Sequence, residues 1–184
     1  MKDEKAVGGF RLALLVQKAK SGNNEAFAEL METCKRDMYR TAAAILNNDD
    51  DAADAMQEAY LACFLNISKL EKVQYFKTWL IRIVINKSYD ILRGRREHIN
   101  LDEISETYAD DTDEFEKLDE FSNSILHSID ANYSLILSLH YVSGYSVKEI
   151  SRITSLNENT VKTRLSRGRD RLKTAVEERS RNNG

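Results

Sequence analysis

Asn159, Lys162, Thr163, Ser166 and Arg167 follow one another at alternating steps of three residues and one, which keep them on one side of a helix. Their chemistry is that of recognition. A guanidinium can fork onto guanine, an ammonium can reach guanine or phosphate, and a hydroxyl can bond a base edge or touch a thymine methyl. Arg164, Arg169, Arg171 and Lys173 flank this face and suit phosphate oxygens, which fix register without reading sequence.

The elements that position these residues are legible around them. Ser146 followed three residues later by Glu149 is a capping box, which starts a first short helix. Val147, Ile150 and Ile153 give it one apolar face. Leu156 falls in a turn, and Asn157 is a good N-cap for a second helix starting at about Glu158. Val161, Leu165 and Leu172, with small Gly168 between them, turn inward on that second helix. The pattern is a helix-turn-helix with a polar, basic outer face. A solvated charged helix is the plain alternative, but capping, turn and apolar spacing all agree on a DNA-reading unit.

A net charge of −3 and a pI near 5.7 argue against nucleic acid only on average. Lys69 to Arg96 is basic, Glu97 to Phe121 carries a run of acids against a lone Lys117, and the C-terminal stretch is basic again. Local charge is what phosphates meet. The 184-residue chain has no proline, where an average usage of about 5% would give roughly nine, and this points to an all-α fold. Cys34 and Cys63 lie in apolar helical patterns without a C-x-x-C pair, as buried free thiols do, so neither a metal nor another cofactor is expected. The apolar run Phe10 to Val16 is too short for a bilayer, and no cleavage signal follows it, so the chain is expected in the cytoplasm.

Two small helical domains joined by an acidic flexible linker are expected: residues 1–97, a linker over 98–121, and residues 122–184. In the first, helices are expected over about Phe10 to Lys20, from Asn23 or Asn24 through Met38, from about Ala52 to Asn66, and through Trp79, Leu80, Ile83, Val84 and Ile91. Met56, Tyr60, Cys63 and Phe64 are expected inward, and Trp79 reads as core. A loop spans Lys69 to Tyr75. In the second domain Ile125, Leu126, Ile129, Leu135, Ile136 and Leu139 pack behind the helix-turn-helix, Asp130 caps a helix, Gly144 makes a turn, and the tail after about Val176 frays.

DAADAMQEAYLACF followed by FKTWLIRIVINKSYDILRGRR resembles region 2 of the bacterial sigma-70 superfamily, and the C-terminal block resembles its region 4. With only these two regions and an acidic connection, the layout is similar to extracytoplasmic-function sigma factors. The resemblance implies a non-enzymatic subunit of RNA polymerase. It implies that Asp51, Asp54, Gln57 and Glu58, on the exposed side of the third helix, dock on the β′ clamp coiled coil, with the β flap as a further polymerase contact. It implies that Lys72, Asn86, Lys87, Asp90 and Arg93 serve a melted −10 strand with a base extruded into a pocket, Arg95 and Arg96 following the backbone. Lys162, Thr163, Ser166 and Arg167 map onto base-reading positions for −35 DNA, and an anti-sigma factor is an expected partner.

Two other classes fit these residues less well. A self-sufficient helix-turn-helix regulator would ordinarily dimerise, and no sustained heptads are present. An enzyme would draw on His98, His127 or His140, none of which stands in a catalytic constellation; His140 reads as a satisfied core residue.

Overall fold

The computed structural model describes the backbone of residues 2–98 and 129–182. It is helical, with no strand among the described residues. In chain order the helices are α1 (Lys2–Lys20), α2 (Asn24–Leu46), α3 (Asp49–Asn66), α4 (Phe76–His98), α5 (Ala131–Leu137), α6 (Val147–Thr154) and α7 (Glu158–Asn182). Short 3-10 turns, Ile67–Lys69 and Val73–Tyr75, bracket the loop before α4, and a π-helical segment, Ser138–Val142, follows α5. The acidic stretch, together with Ile125, Leu126 and His127, lies outside the described residues.

Local signals account for most boundaries. Asn23 Oδ1 accepts from the Ala26 N–H at 2.8 Å and opens α2, and Asn47, left-handed at φ 51°, closes it. Asn48 Oδ1 accepts from the Asp51 N–H at 2.9 Å, so α3 begins at Asp49, ahead of the expected Ala52. Asp130 caps α5 through the Asn132 N–H at 2.9 Å, as expected. α1 begins well before Phe10, and α7 continues to Asn182, past the point where fraying was expected. An i,i+4 approach of Lys173 to Glu177, 4.0 Å, supports that last part of α7.

α1, α2, α3 and α4 pack on one another around Leu30, Phe76, Leu80 and Val84, and α5 packs on α7. The buried residues form a single cluster that also includes Leu135, Tyr145, Ile150 and Val161, because α2 lies against α5 and the π segment, and α4 against α6.

α3 departs from its expected orientation. Its buried face is Ala52, Ala55, Ala59 and Cys63, while Tyr60 and Phe64, expected inward, are 43% and 47% exposed. Alanines let the helix axes approach closely, which leaves the two rings at the rim, edge-on to Phe27 at centroid distances of 5.1 and 5.2 Å.

Candidate nucleic-acid interface

α6 and α7 are set by their caps. Ser146 Oγ accepts from the Glu149 N–H at 3.3 Å while the Glu149 carboxylate accepts from the Ser146 N–H at 2.8 Å. Ser155, at φ 59°, turns the chain, and Asn157 Oδ1 accepts from the Thr160 N–H at 2.7 Å to start α7. Val161 and Leu165 are buried on the inner side of α7, and Gly168 faces Leu137 and Tyr133 of α5. A Cβ on Gly168 would stand 3.2 Å from the Leu137 side chain.

With its inner side anchored in this way, α7 brings Asn159, Lys162, Thr163, Ser166 and Arg167 together on its exposed side. Thr163 Oγ1 donates to the Asn159 carbonyl at 2.9 Å, so its remaining lone pairs are acceptors. An open cleft of about 700 Å³ runs beside the first turn of α7, with Tyr133, Thr163, Arg164 and Arg167 in its wall. The flanking cations differ in their freedom. Arg164 is half-buried, Arg169 donates to the Tyr141 hydroxyl at 2.8 Å, and the Arg171 guanidinium lies 4.6 Å from the Tyr133 ring centroid.

On α4, Phe76, Leu80, Ile81, Val84 and Ile85 are buried, and Asn86, Asp90 and Arg93 form an exposed stripe at steps of four and three. The buried Ser88 hydroxyl is satisfied by the Val84 carbonyl at 2.9 Å. Arg93 pairs with Asp90, and Lys87, half-buried, reaches Glu58 at 3.1 Å. Lys72 is exposed in the preceding loop, whose base is held by the Lys20 ammonium donating to the Leu70 carbonyl. Trp79, expected in the core, is half-buried beside Phe76. Of Arg95 and Arg96 only the backbone is described.

On α3, Asp54, Gln57 and Glu58 are exposed, but Asp51 is not. At 8% exposure it corrects the expectation that all four share one surface. Asp51 stands four residues before Ala55 and eight before Ala59, on the packed face, in a first helical turn that favours a negative charge. The exposed stripe continues instead into Leu61 and Leu65, 53% and 62% exposed, which sequence reading passed over. The signal was their spacing from Asp54 and Glu58.

Other reactive groups are quiet. Burial pushes the Cys34 thiol up to about 11 and the Cys63 thiol up to about 12. His140 is half-buried and donates from Nδ1 to the Tyr145 carbonyl at 2.9 Å, in keeping with a satisfied histidine. Among the described residues no cluster of metal-ligating side chains occurs, and no helix is long and apolar enough to cross a membrane.

Comparison with known proteins matches two segments of the chain. Residues 30–98 match the Sigma-70 region 2 family, and residues 124–172 match Sigma-70, region 4. The chain is 30% identical over 174 residues to the ECF RNA polymerase sigma factor SigW of Bacillus subtilis, covering 86% of this chain and 92% of that one. It is 31% identical over 150 residues to SigV of the same organism, covering 75% and 86%. The fold is similar to that of the sigma factor RpoE from Bartonella quintana, solved in complex with the anti-sigma factor NepR, at a TM-score of 0.71 and 24% identity, covering 82% of this chain and 96% of that one. With both segments matched in order and near-complete coverage of its relatives, the chain belongs to the sigma-70 family, among the ECF RNA polymerase sigma factors.

Proposed function

We propose that this sigma factor divides promoter recognition between a unit of residues 1–97 and a unit of residues 122–184, joined through the acidic stretch 98–121. In the second unit α7 enters the major groove of −35 DNA. Asn159, Lys162, Thr163, Ser166 and Arg167 face base edges, and Arg164 and Arg169 face phosphates. In the first unit the opened −10 strand lies along α4 and the loop before it, contacted by Lys72, Asn86, Lys87, Asp90 and Arg93. Extruding a base costs a few kcal/mol, which contacts in that loop must offset.

Asp54, Gln57 and Glu58, continued by Leu61 and Leu65, meet the β′ clamp coiled coil of core polymerase; Asp51 supports this surface from the inner side of α3. The β flap is a further polymerase contact. Acidic and amide groups beside apolar ones suit a partner helix of basic and apolar character. The protein makes and breaks no covalent bond, works in the cytoplasm without a cofactor, and is held in reserve by an anti-sigma factor, a reading supported by the complex in which the Bartonella relative was solved.

The observation that carries this reading is the joint exposure of five base-compatible side chains on an α7 whose opposite side is buried. Transcription in vitro with core polymerase over a promoter library tests it. The expected result is start-site selection that depends on the added protein and tracks −35 and −10 sequence. Tight binding of the isolated protein to a palindromic duplex, without polymerase, would favour the alternative of a self-sufficient regulator.

A further inference from the structure

Lys20 is the last residue of α1, and the chain holds it firmly in place. Val16 and Ala19 are buried, which keeps the final turn from rolling, and Asn23 already caps α2. Gly22, at φ 87°, makes the reversal between the two helices, and the Asn23 N–H returns to the Lys18 carbonyl at 3.1 Å. A lysine in a last helical turn is ordinarily accounted for by the carbonyls of its own helix. Here the side chain is half-buried, and its ammonium donates instead to the Leu70 carbonyl, 50 residues further along the chain.

That carbonyl occupies a decisive place in the loop before α4. The two 3-10 turns close on themselves, through the Leu70 N–H on the Ile67 carbonyl at 3.1 Å and the Tyr75 N–H on the Lys72 carbonyl at 3.0 Å, and α1 packs against both. Between them the chain is extended, with ψ 111° at Leu70 and again at Lys72, and the Glu71 and Lys72 side chains are exposed. The Leu70 side chain is buried, so the span starts from a fixed point, and Lys20 holds the peptide plane that follows it. Rotation of that plane would re-aim Glu71 and Lys72 while leaving both turns intact.

We propose that Lys20 is a positioning residue for −10 selectivity: by holding the Leu70 carbonyl it presents the span 70–72 to the opened strand in one conformation. The proposal rests on the assignment of this loop to that strand. A span held in one conformation discriminates between bases, because a wrong base meets groups that do not match it, whereas a span free to re-aim accommodates several. A charged donor is suited to the task, since its hydrogen bond to a carbonyl is stronger than one between neutral groups. α1 thereby takes part in promoter reading by way of the loop.

The test uses the full chain with core polymerase. Lys20→Met keeps an unbranched side chain and removes the donor, and Lys20→Arg keeps a cationic donor. Promoters varied one base at a time through −10, and separately through −35, compete for each holoenzyme, and amide hydrogen exchange across residues 67–75 is followed in the free protein. Lys20→Met is expected to lose about fivefold to tenfold of the discrimination at one or two adjacent −10 positions, as loss of a hydrogen bond from a charged group implies, with −35 discrimination unchanged. Its amides across 67–75 should exchange faster. Lys20→Arg should retain both properties; a Lys20→Arg protein as impaired as Lys20→Met would assign the effect to packing and overturn the proposal. Undiminished −10 discrimination or unchanged exchange in Lys20→Met, or equal loss at −10 and −35, overturns it as well. Lys72→Ala separates this from failure of the underlying assignment. If Lys72→Ala leaves −10 preference untouched, the loop is not the reader and the proposal falls with that assignment; if it shifts the preference while Lys20→Met does not, the proposal alone falls.

Discussion

Lys87 Nζ sits 3.1 Å from Glu58 Oε2, bridging α4 to α3. The pair joins the helix assigned to the opened strand to the helix assigned to polymerase. With Glu58 56% and Lys87 32% exposed, the pair contributes at most about 1 kcal/mol, so its importance is in orientation. Charge reversal at Asp54 and Glu58 together should weaken core-polymerase binding by about tenfold or more, as removal of complementary charge at an interface does. Fluorescence anisotropy with labelled protein measures this, and unchanged affinity would reject the α3 surface.

Arg167 stands on the exposed face of α7 beside the cleft at Tyr133. Arg167→Ala should lower discrimination between matched and mismatched −35 sequences by about 1–3 kcal/mol while leaving polymerase affinity intact. Competition between promoter variants for the holoenzyme reads the first, and anisotropy the second. Loss of both would mark a folding defect.

Ser155 ends α6 at φ 59°, a conformation that costs a residue with a Cβ about 1–2 kcal/mol. Ser155→Gly should therefore stabilise the protein by about 1 kcal/mol, part of the relief being returned as added chain entropy in the unfolded state. A rise in the urea midpoint without a change in slope is the expected signature.

Gly168 presents the opposite case. A side chain there is directed at Leu137, which is 2% exposed and has little room to withdraw. Gly168→Val should destabilise by about 2 kcal/mol through overpacking, and thermal unfolding would register it. An unaltered melting temperature would mean that α5 and α7 separate more easily than their packing implies.

The thiols set a pH dependence. Cys34 and Cys63 hold their protons to about 11 and about 12, above the ordinary 9.0, because burial disfavours the thiolate. Between about pH 8 and pH 10 the unfolded chain therefore loses protons that the folded one keeps, and stability should fall as pH rises. Urea titrations across that range check this. The double variant Cys34→Ala, Cys63→Ala should show a shallower fall, with Tyr89 and Tyr145, also raised by burial, accounting for slope that remains.

Features carried by neighbouring residues were readable from the chain alone. The Ser146–Glu149 box, the Asn157 cap and the Gly144 turn at φ 73° each stabilise a local geometry, and the inward set Ile150, Ile153, Val161 and Leu165 follows from spacing. What escaped depends on distant partners. Periodicity gives Tyr60 and Phe64 an apolar face, but whether large rings or small alanines line a contact is decided by how closely α2 and α4 approach α3. Asp51 was misassigned for the same reason, and nothing near Arg152 in sequence announces Tyr75 as its neighbour.

The wide coil at Ser138–Val142, closed by the Ser143 N–H on the Ser138 carbonyl at 3.0 Å, contains one residue more than an ordinary helical turn would use. Each residue of a regular helix rotates its successors by about 100°, so this surplus sets the bearing on which the backbone leaves for Tyr145 and everything beyond. Trimming one amino acid from it would keep every group assigned to DNA in the chain yet swing the helix-turn-helix away from the groove proposed for it.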